Sequence, residues 1–201
     1  MRGIVLLHGR GGSARDMRGL LAPLGAEGLA VAAPEARGNS WWPTSFLAPM
    51  AQMAPWVARG CDAVDAALRE LGLPRGEVAV LGFSQGACLA LEWAARRGEG
   101  IGAVVAFSGG LVGTADAGED GDDALYGASP KSFDYATDLS GSRAVVTCHA
   151  RDPHIPLARA RESVDVLERL GADASGLWHP GPGHQPEGEG VAAARAVLGT
   201  G

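Results

Sequence analysis

Short apolar runs alternate along the chain with longer stretches whose apolar positions recur every three or four residues. Six runs read as strands: GIVLLH (3–8), LAVAAPE (29–35), EVAVLGF (77–83), GAVVAFS (102–108), RAVVTCH (143–149) and ASGLWHP (174–180). Four of them lack the strict alternation of a half-exposed strand, so burial on both faces is expected, as in a parallel sheet covered by helices. Between them, Val57, Cys61, Val64, Leu68 and Leu71 step by three and four, a helical stripe that Pro55 introduces and Gly72 and Pro74 close. Pro156 opens another helix, with Ala160, Val164, Leu167 and Leu170 on one face and Gly171 at its C-terminal cap. The alanine-rich EGEGVAAARAVL supplies a last one. Alternation of this kind implies crossover helices between parallel strands: an α/β fold with a mostly parallel sheet of about six or seven strands and helices on both faces.

No repeat or linker divides the chain, and 201 residues suit one core, so a single domain over 1–201 is expected. The long irregular stretch 109–142 reads as a surface excursion or a flap over a site. With 46% hydrophobic and 20% charged residues the chain reads as globular rather than disordered. Net charge is −6, Lys131 is the one lysine and the arginines are scattered, which excludes the basic stripe of a nucleic-acid binder. Cys61, Cys88 and Cys148 are odd in number and widely spaced, so buried thiols are expected rather than a disulfide framework or zinc ribbon. MRGIVLLHG has one basic residue and four consecutive apolar ones, too few for a signal-peptide core or a membrane span, and a cytoplasmic location is expected.

The chemistry concentrates at Gly82-Phe83-Ser84-Gln85-Gly86, a G-x-S-x-G between an apolar run and a helical pattern. A tight strand-to-helix turn needs glycine two residues either side, and leaves the serine strained with its Oγ projecting above the sheet. The bland alternative, a chance motif with Ser84 as a helix cap, leaves the strand and helix context unexplained. In the helix that follows, Glu92 and Arg96 are four apart and Arg96-Arg97-Gly98 stand at its end.

Serine is a weak nucleophile at neutral pH and needs a histidine base and an acid, here in the chain order Ser, Asp, His. Four histidines follow it: His149, His154, His179 and His184. His184 lies in HPGPGHQ, on a Gly/Pro loop just past the last strand, where active-site residues of open parallel sheets collect. His179 falls in or at the end of that strand, as a structural residue would. Asp152, in ARDPHIP, also follows a strand, whereas Asp134 and Asp138 have no strand to aim them, so Asp152 is the expected acid. It also suits the first turn of the helix behind Pro156. The oxyanion needs donors, expected from the backbone N–H of Gln85 and, in HGRGGS, of Arg10, whose side chain that role does not require.

Together LLHGRGGSARDM, GNSWWPTSF, GFSQGACLALEW, FSGGL, RDPHIP and PGPGH resemble the phospholipase/carboxylesterase family of α/β-hydrolases, related to acyl-protein thioesterases and dienelactone hydrolases. The resemblance implies the α/β-hydrolase fold, Ser84, Asp152 and His184 as a triad, and the Arg10 and Gln85 N–H groups as oxyanion hole. It implies a serine carboxylesterase acting on small short-chain acyl or aryl esters through an acyl-enzyme without a cofactor, or an acyl thioesterase or lactone hydrolase with the same triad. Two departures, Ala150 where glycine is common and the polar residues after His184, bear on loop geometry and substrate fit rather than on the reaction. The chain opens directly at the strand leading to the oxyanion loop, so the N-terminal hairpin of larger relatives is expected to be reduced or absent.

GNSWWPTSFLAPM packs either as a core loop or as a pocket wall of Trp41, Trp42 and Phe46, and Leu111, closing FSGGL, is assigned to the pocket with them. Four rival readings compete. Gly9-x-Gly11-x-x-Ala14 with Glu35 imitates a dinucleotide site, but leaves Ser84, Asp152 and His184 unexplained. His149, Asp152 and His154 do not have a standard metal-ligand spacing. The acidic run Asp116 to Asp123 is a poor calcium loop, with Gly118 at the third ligand position and no closing glutamate. A non-catalytic ligand-binding relative would have no need of all three triad residues. A small ester is the expected partner, and a homodimer is compatible with the sequence.

Overall fold

The computed structural model describes residues 1–115 and 131–201. The elements run β1 (Gly3–Leu7), α1 (Ala14–Arg18), β2 (Ala30–Ala32), α2 (Met50–Leu71), β3 (Val78–Phe83), α3 (Gln85–Arg97), β4 (Ala103–Phe107), β5 (Arg143–Arg151), α4 (Leu157–Arg169), β6 (Asp173–Pro182) and α5 (Gly188–Leu198). The strands form a six-stranded sheet in the order β2-β1-β3-β4-β5-β6, with every neighbouring pair parallel. All six apolar runs are strands. β1 and β4 are buried at every position, which is why their sequences do not alternate.

Alternate residues of these strands feed two separate cores. Val5, Leu7, Val78 and Val80 face a cluster completed by α2, α3 and α4, and Ile4, Leu6, Ala79 and Leu81 face one completed by α1 and α5. α3 is buried from Gln85 to Ala95 because it lies between the sheet and α2, where Gly60 lets the helices approach over Leu89.

α2 begins at Met50, five residues before the proline expected to introduce it, and Pro55 stands inside the helix on an exposed face. Pro49 is the N-terminal cap: its carbonyl accepts from Gln52 (2.9 Å) and Met53 (3.2 Å), and buried Met53 adds a turn to the stripe. Pro156 caps α4, as its position suggested, and Gly171 follows the helix at φ +98°. β5 and β6 outrun their apolar segments, pairing as far as Arg151 and Pro182 across an irregularity after His149. That extension carries the following loops side by side.

Cys61, Cys88 and Cys148 are buried free thiols, each pushed up to about 12 by burial. Among the described residues no helix is long and apolar enough to cross a membrane. The acidic run Asp116 to Asp123 lies outside the described residues.

Both flanks of that run are fastened to helices. Glu92, buried on α3, accepts from Arg96 Nε (2.6 Å), the Val112 N–H (2.9 Å), Tyr135 OH (2.9 Å) and Lys131 Nζ (3.1 Å). The pair spaced four apart in the sequence, Glu92 and Arg96, is therefore part of a larger hub around the buried carboxylate. Burial lowers the Lys131 ammonium from 10.5 to about 8, against the pull of Glu92. An unfolded lysine still holds its proton where the folded one has shed it, so this group's contribution to stability rises with pH between those two values. Relative to Lys131→Met, urea unfolding of the wild type should show a gain of up to about 3 kcal/mol from pH ~8 to ~10.5. A difference that stays flat or falls would contradict the lowered pKa.

Candidate active site

At the end of β3 the chain turns into α3 through Ser84, whose φ of 53° and ψ of −119° lie outside the helical and strand wells. Its N–H donates to the Phe107 carbonyl (2.9 Å) and its carbonyl accepts from Cys88 (2.9 Å), so backbone bonds on both sides hold the strain. A Cβ on Gly82 would stand 2.2 Å from the Gly86 oxygen, and one on Gly86 would stand 2.1 Å from the Leu7 oxygen. Glycine at both positions is what lets the turn close against β1.

The loops behind β5 and β6 bring Asp152 and His184 to this turn. His184 Nε2 lies 2.8 Å from Ser84 Oγ, and its Nδ1 lies 2.8 and 2.9 Å from the two Asp152 oxygens. Asp152 Oδ1 also accepts the backbone N–H groups of His154 (2.8 Å) and Ile155 (3.0 Å). Burial alone would raise the pKa of this carboxyl, but the His184 ring and the two N–H donors outweigh it and hold it below the usual range. The ionised carboxylate takes the Nδ1–H and leaves the Nε2 lone pair facing the serine hydroxyl. Asp134 and Asp138 lie elsewhere, hydrogen-bonded to Ser132 and Ser140.

The backbone N–H groups of Arg10 and Gln85 donate to no other described residue. His8, which the sequence reading passed over, orients the first of them. Its Nε2 accepts from the Ala36 N–H (3.0 Å), so Nδ1 is the donor, 2.7 Å from the Gly9 carbonyl. Gly12 N–H binds the same carbonyl (3.0 Å). A trans peptide points its N–H opposite its carbonyl, so fixing the Gly9 oxygen fixes the direction of the Arg10 N–H.

A cavity of about 660 Å³ opens over Ser84, with Trp42, Phe46, Phe83, Cys88 and Ile155 among its walls. Of the four residues expected at a pocket, Trp42 and Phe46 line this cavity. Trp41 does not: it stacks on His8 (5.1 Å between centroids) and gives its indole N–H to the His8 carbonyl (2.9 Å). Leu111 also misses the cavity, since its N–H is bound by Ser163 Oγ (2.8 Å) and its carbonyl by Arg159 (2.9 Å), which turns its side chain into the core. Two side chains hold the aromatic wall. Gln85 accepts from the Trp41 N–H (2.8 Å) and donates to the Trp42 carbonyl (2.9 Å), and the Arg10 guanidinium donates to the carbonyls of Pro43 (3.1 Å) and Thr44. Nothing in the sequence flags either clamp, because the partners are brought together by the loop's path.

Glu35 accepts from the Ala14 N–H (2.9 Å) at the start of α1, and Ser13 with Asp16 forms a capping box there. The glycines that imitate a dinucleotide fingerprint thus belong to a capped turn beside Ser84. His149 turns away from Asp152 onto the buried His179 (5.1 Å), and no cluster of His, Cys, Asp or Glu suited to a metal occurs among the described residues. Burial, with His149 alongside, lowers the pKa of His179.

The profile of the phospholipase/carboxylesterase family matches residues 2–119. A phospholipase/carboxylesterase from Dyadobacter fermentans DSM 18053 is similar at 33% identity and a TM-score of 0.84, over 98% of this chain and 89% of that one. Esterase PE8 is similar at 25% identity and a TM-score of 0.73, over 98% and 91% of the two chains. The Bacillus cereus carboxylesterase shares the fold, at 18% identity and a TM-score of 0.67 over 98% and 88%. A comparison with curated protein sequences gave no match. With a profile match over more than half its length and one-third identity along nearly all of it, the chain belongs to the phospholipase/carboxylesterase family of α/β-hydrolases.

Proposed function

We propose that this protein is a serine carboxylesterase that hydrolyses small esters through an acyl-enzyme. The observation that carries the reading is the continuous line from Asp152 through His184 to Ser84, with both hydrogen bonds at 2.8 Å. In this reading Ser84 Oγ attacks the ester carbonyl as His184 Nε2 takes its proton, and the negative charge that forms on the carbonyl oxygen is received by the Arg10 and Gln85 N–H groups. His184 then gives the proton to the departing alkoxide, leaving the acyl group on Ser84. Water, deprotonated by the same imidazole, releases the acid and restores the hydroxyl. Asp152 stays ionised throughout, fixing the tautomer and balancing the imidazolium.

The rigid aromatic wall of Trp42 and Phe46 supports small acyl or aryl groups over long chains. A fluorophosphonate should add to the peptide containing Ser84 and to no other, and 4-nitrophenyl acetate or butyrate should be turned over faster than the decanoate. Labelling elsewhere, or a preference for the decanoate, would contradict the mechanism or the substrate size respectively.

A further inference from the structure

The cavity beside Ser84 has a one-sided charge that ester hydrolysis does not require. Among its described lining residues, the side chains able to carry positive charge are Arg10, His154 and His184, and there is no carboxylate. Asp152 is no exception, because its side chain is fully buried and bound to His184. The chain as a whole carries −6, so this lining runs against the overall sign.

Arg10 is exposed, and both its hydrogen-bond acceptors are backbone carbonyls of the cavity wall. A guanidinium has five N–H donors in one plane, so two bonds to Pro43 and Thr44 orient it and leave three donors free. No ion pair neutralises it among the described residues, and it is the one arginine on the cavity wall. His154 is exposed too, its ring edge-on to His184 at 4.8 Å between centroids. An imidazole presents an N–H in either protonation state. The sheet order places the two residues on either side of the serine: Arg10 follows β1, His154 follows β5, and Ser84 ends β3 between them.

Resting on the esterase reading, we propose that the cavity selects esters that carry a carboxylate beyond the scissile carbonyl, anchored by the Arg10 guanidinium with His154 as a second donor across Ser84. The carboxylate pairs with an oriented, unneutralised guanidinium, the geometry in which bidentate recognition gives specificity as well as affinity. Apolar walls between anchor and nucleophile carry the rest of the substrate.

The test compares kcat/KM within two pairs matched in size: 4-acetoxybenzoate with its methyl ester, and mono(4-nitrophenyl) adipate with 4-nitrophenyl hexanoate. Taking the anionic-to-neutral ratio in wild type, Arg10→Gln and His154→Gln cancels intrinsic reactivity. In at least one pair the ratio should fall about ten-fold in Arg10→Gln, mostly through KM, and by less in His154→Gln. Added salt should lower the wild-type ratio in the same pair without slowing the neutral ester. Ratios unchanged by both substitutions, or a common loss on both substrates in Arg10→Gln, would overturn the proposal, the second outcome leaving Arg10 as a wall clamp only. Should Arg10→Gln fail to fold, an effect of salt and of His154→Gln on the ratio still decides, and its absence overturns the proposal. Ratios unchanged by salt and by both substitutions, in an enzyme that still hydrolyses the neutral esters, would overturn this inference alone. No turnover of any ester, with no fluorophosphonate adduct on Ser84, would overturn the esterase reading and this inference with it.

Discussion

Ser84→Ala should lower kcat for a 4-nitrophenyl ester by about 10⁵-fold while leaving KM within a few-fold of wild type. Alanine keeps the same Cβ at the same strained φ of 53°, so the substitution removes one oxygen and its bond to His184 and little else. The Arg10 and Gln85 N–H groups proposed as oxyanion donors remain, as does the cavity, and on that reading a residual rate above that of water alone is expected. His184→Ala should cost nearly as much, and the double variant hardly more, because nucleophile and base act as one unit. Rates normalised to folded protein, with fluorophosphonate titration excluding wild-type contamination, measure this directly. Activity within ten-fold of wild type in Ser84→Ala would end the assignment of the nucleophile.

Gly86→Ala should be severely destabilising, costing more than about 4 kcal/mol and preventing a soluble fold if the wild type is of ordinary stability. The added Cβ would meet the Leu7 oxygen at 2.1 Å, the Leu7 carbon at 2.5 Å and the His8 oxygen at 2.6 Å. All three are backbone atoms, so no rotamer change relieves the clash, and α3 would have to lift from β1. That movement would also displace the Gln85 N–H from the Arg10 N–H, so any folded remnant should be nearly inactive. Gly28→Ala is the control, since nothing stands within 4 Å of its Cβ position. Urea unfolding of the pair should show a large loss for the first and a change within about 0.5 kcal/mol for the second. Equal stabilities would mean that the elbow is far looser than its contacts require.

Much of this fold is legible because its causes are local. Parallel strands show as short apolar runs, and all six are legible, the central ones buried and the edge strands β2 and β6 largely exposed, with boundaries shifted where pairing rather than composition decides the end. β5 and β6 continue to Arg151 and Pro182 because each completes the other's hydrogen bonds, a cause outside either segment. α2 was legible as a stripe from Val57 to Leu71, but its start was not, since the cap at Pro49 and the burial of Met53 carry the helix through Pro55 from upstream. Trp41 and Leu111 show the limit for pockets. An aromatic or aliphatic residue on a loop beside the site faces cavity or core according to which backbone groups hold the loop, here His8, Gln85, Ser163 and Arg159. The same limit hid Glu92, whose helical neighbour was visible but whose partners Val112, Lys131 and Tyr135 arrive from distant parts of the chain.

By itself the sequence marked the turn at Ser84, because Gly82 and Gly86 flank it within five residues, although the Leu7 and His8 backbone that Gly86 must clear belongs to the end of β1 and the residue after it. It also narrowed the proposed acid and base to residues that follow strands. Only the tertiary structure decided that Ser84 and His184, 100 positions apart, lie within hydrogen-bond distance. It alone decided that Gln85 and Arg10 each hold the cavity wall with a side chain while offering a backbone N–H beside Ser84. A hydrogen bond between distant residues depends on strand order and loop path together, and neither is encoded within reach of one motif.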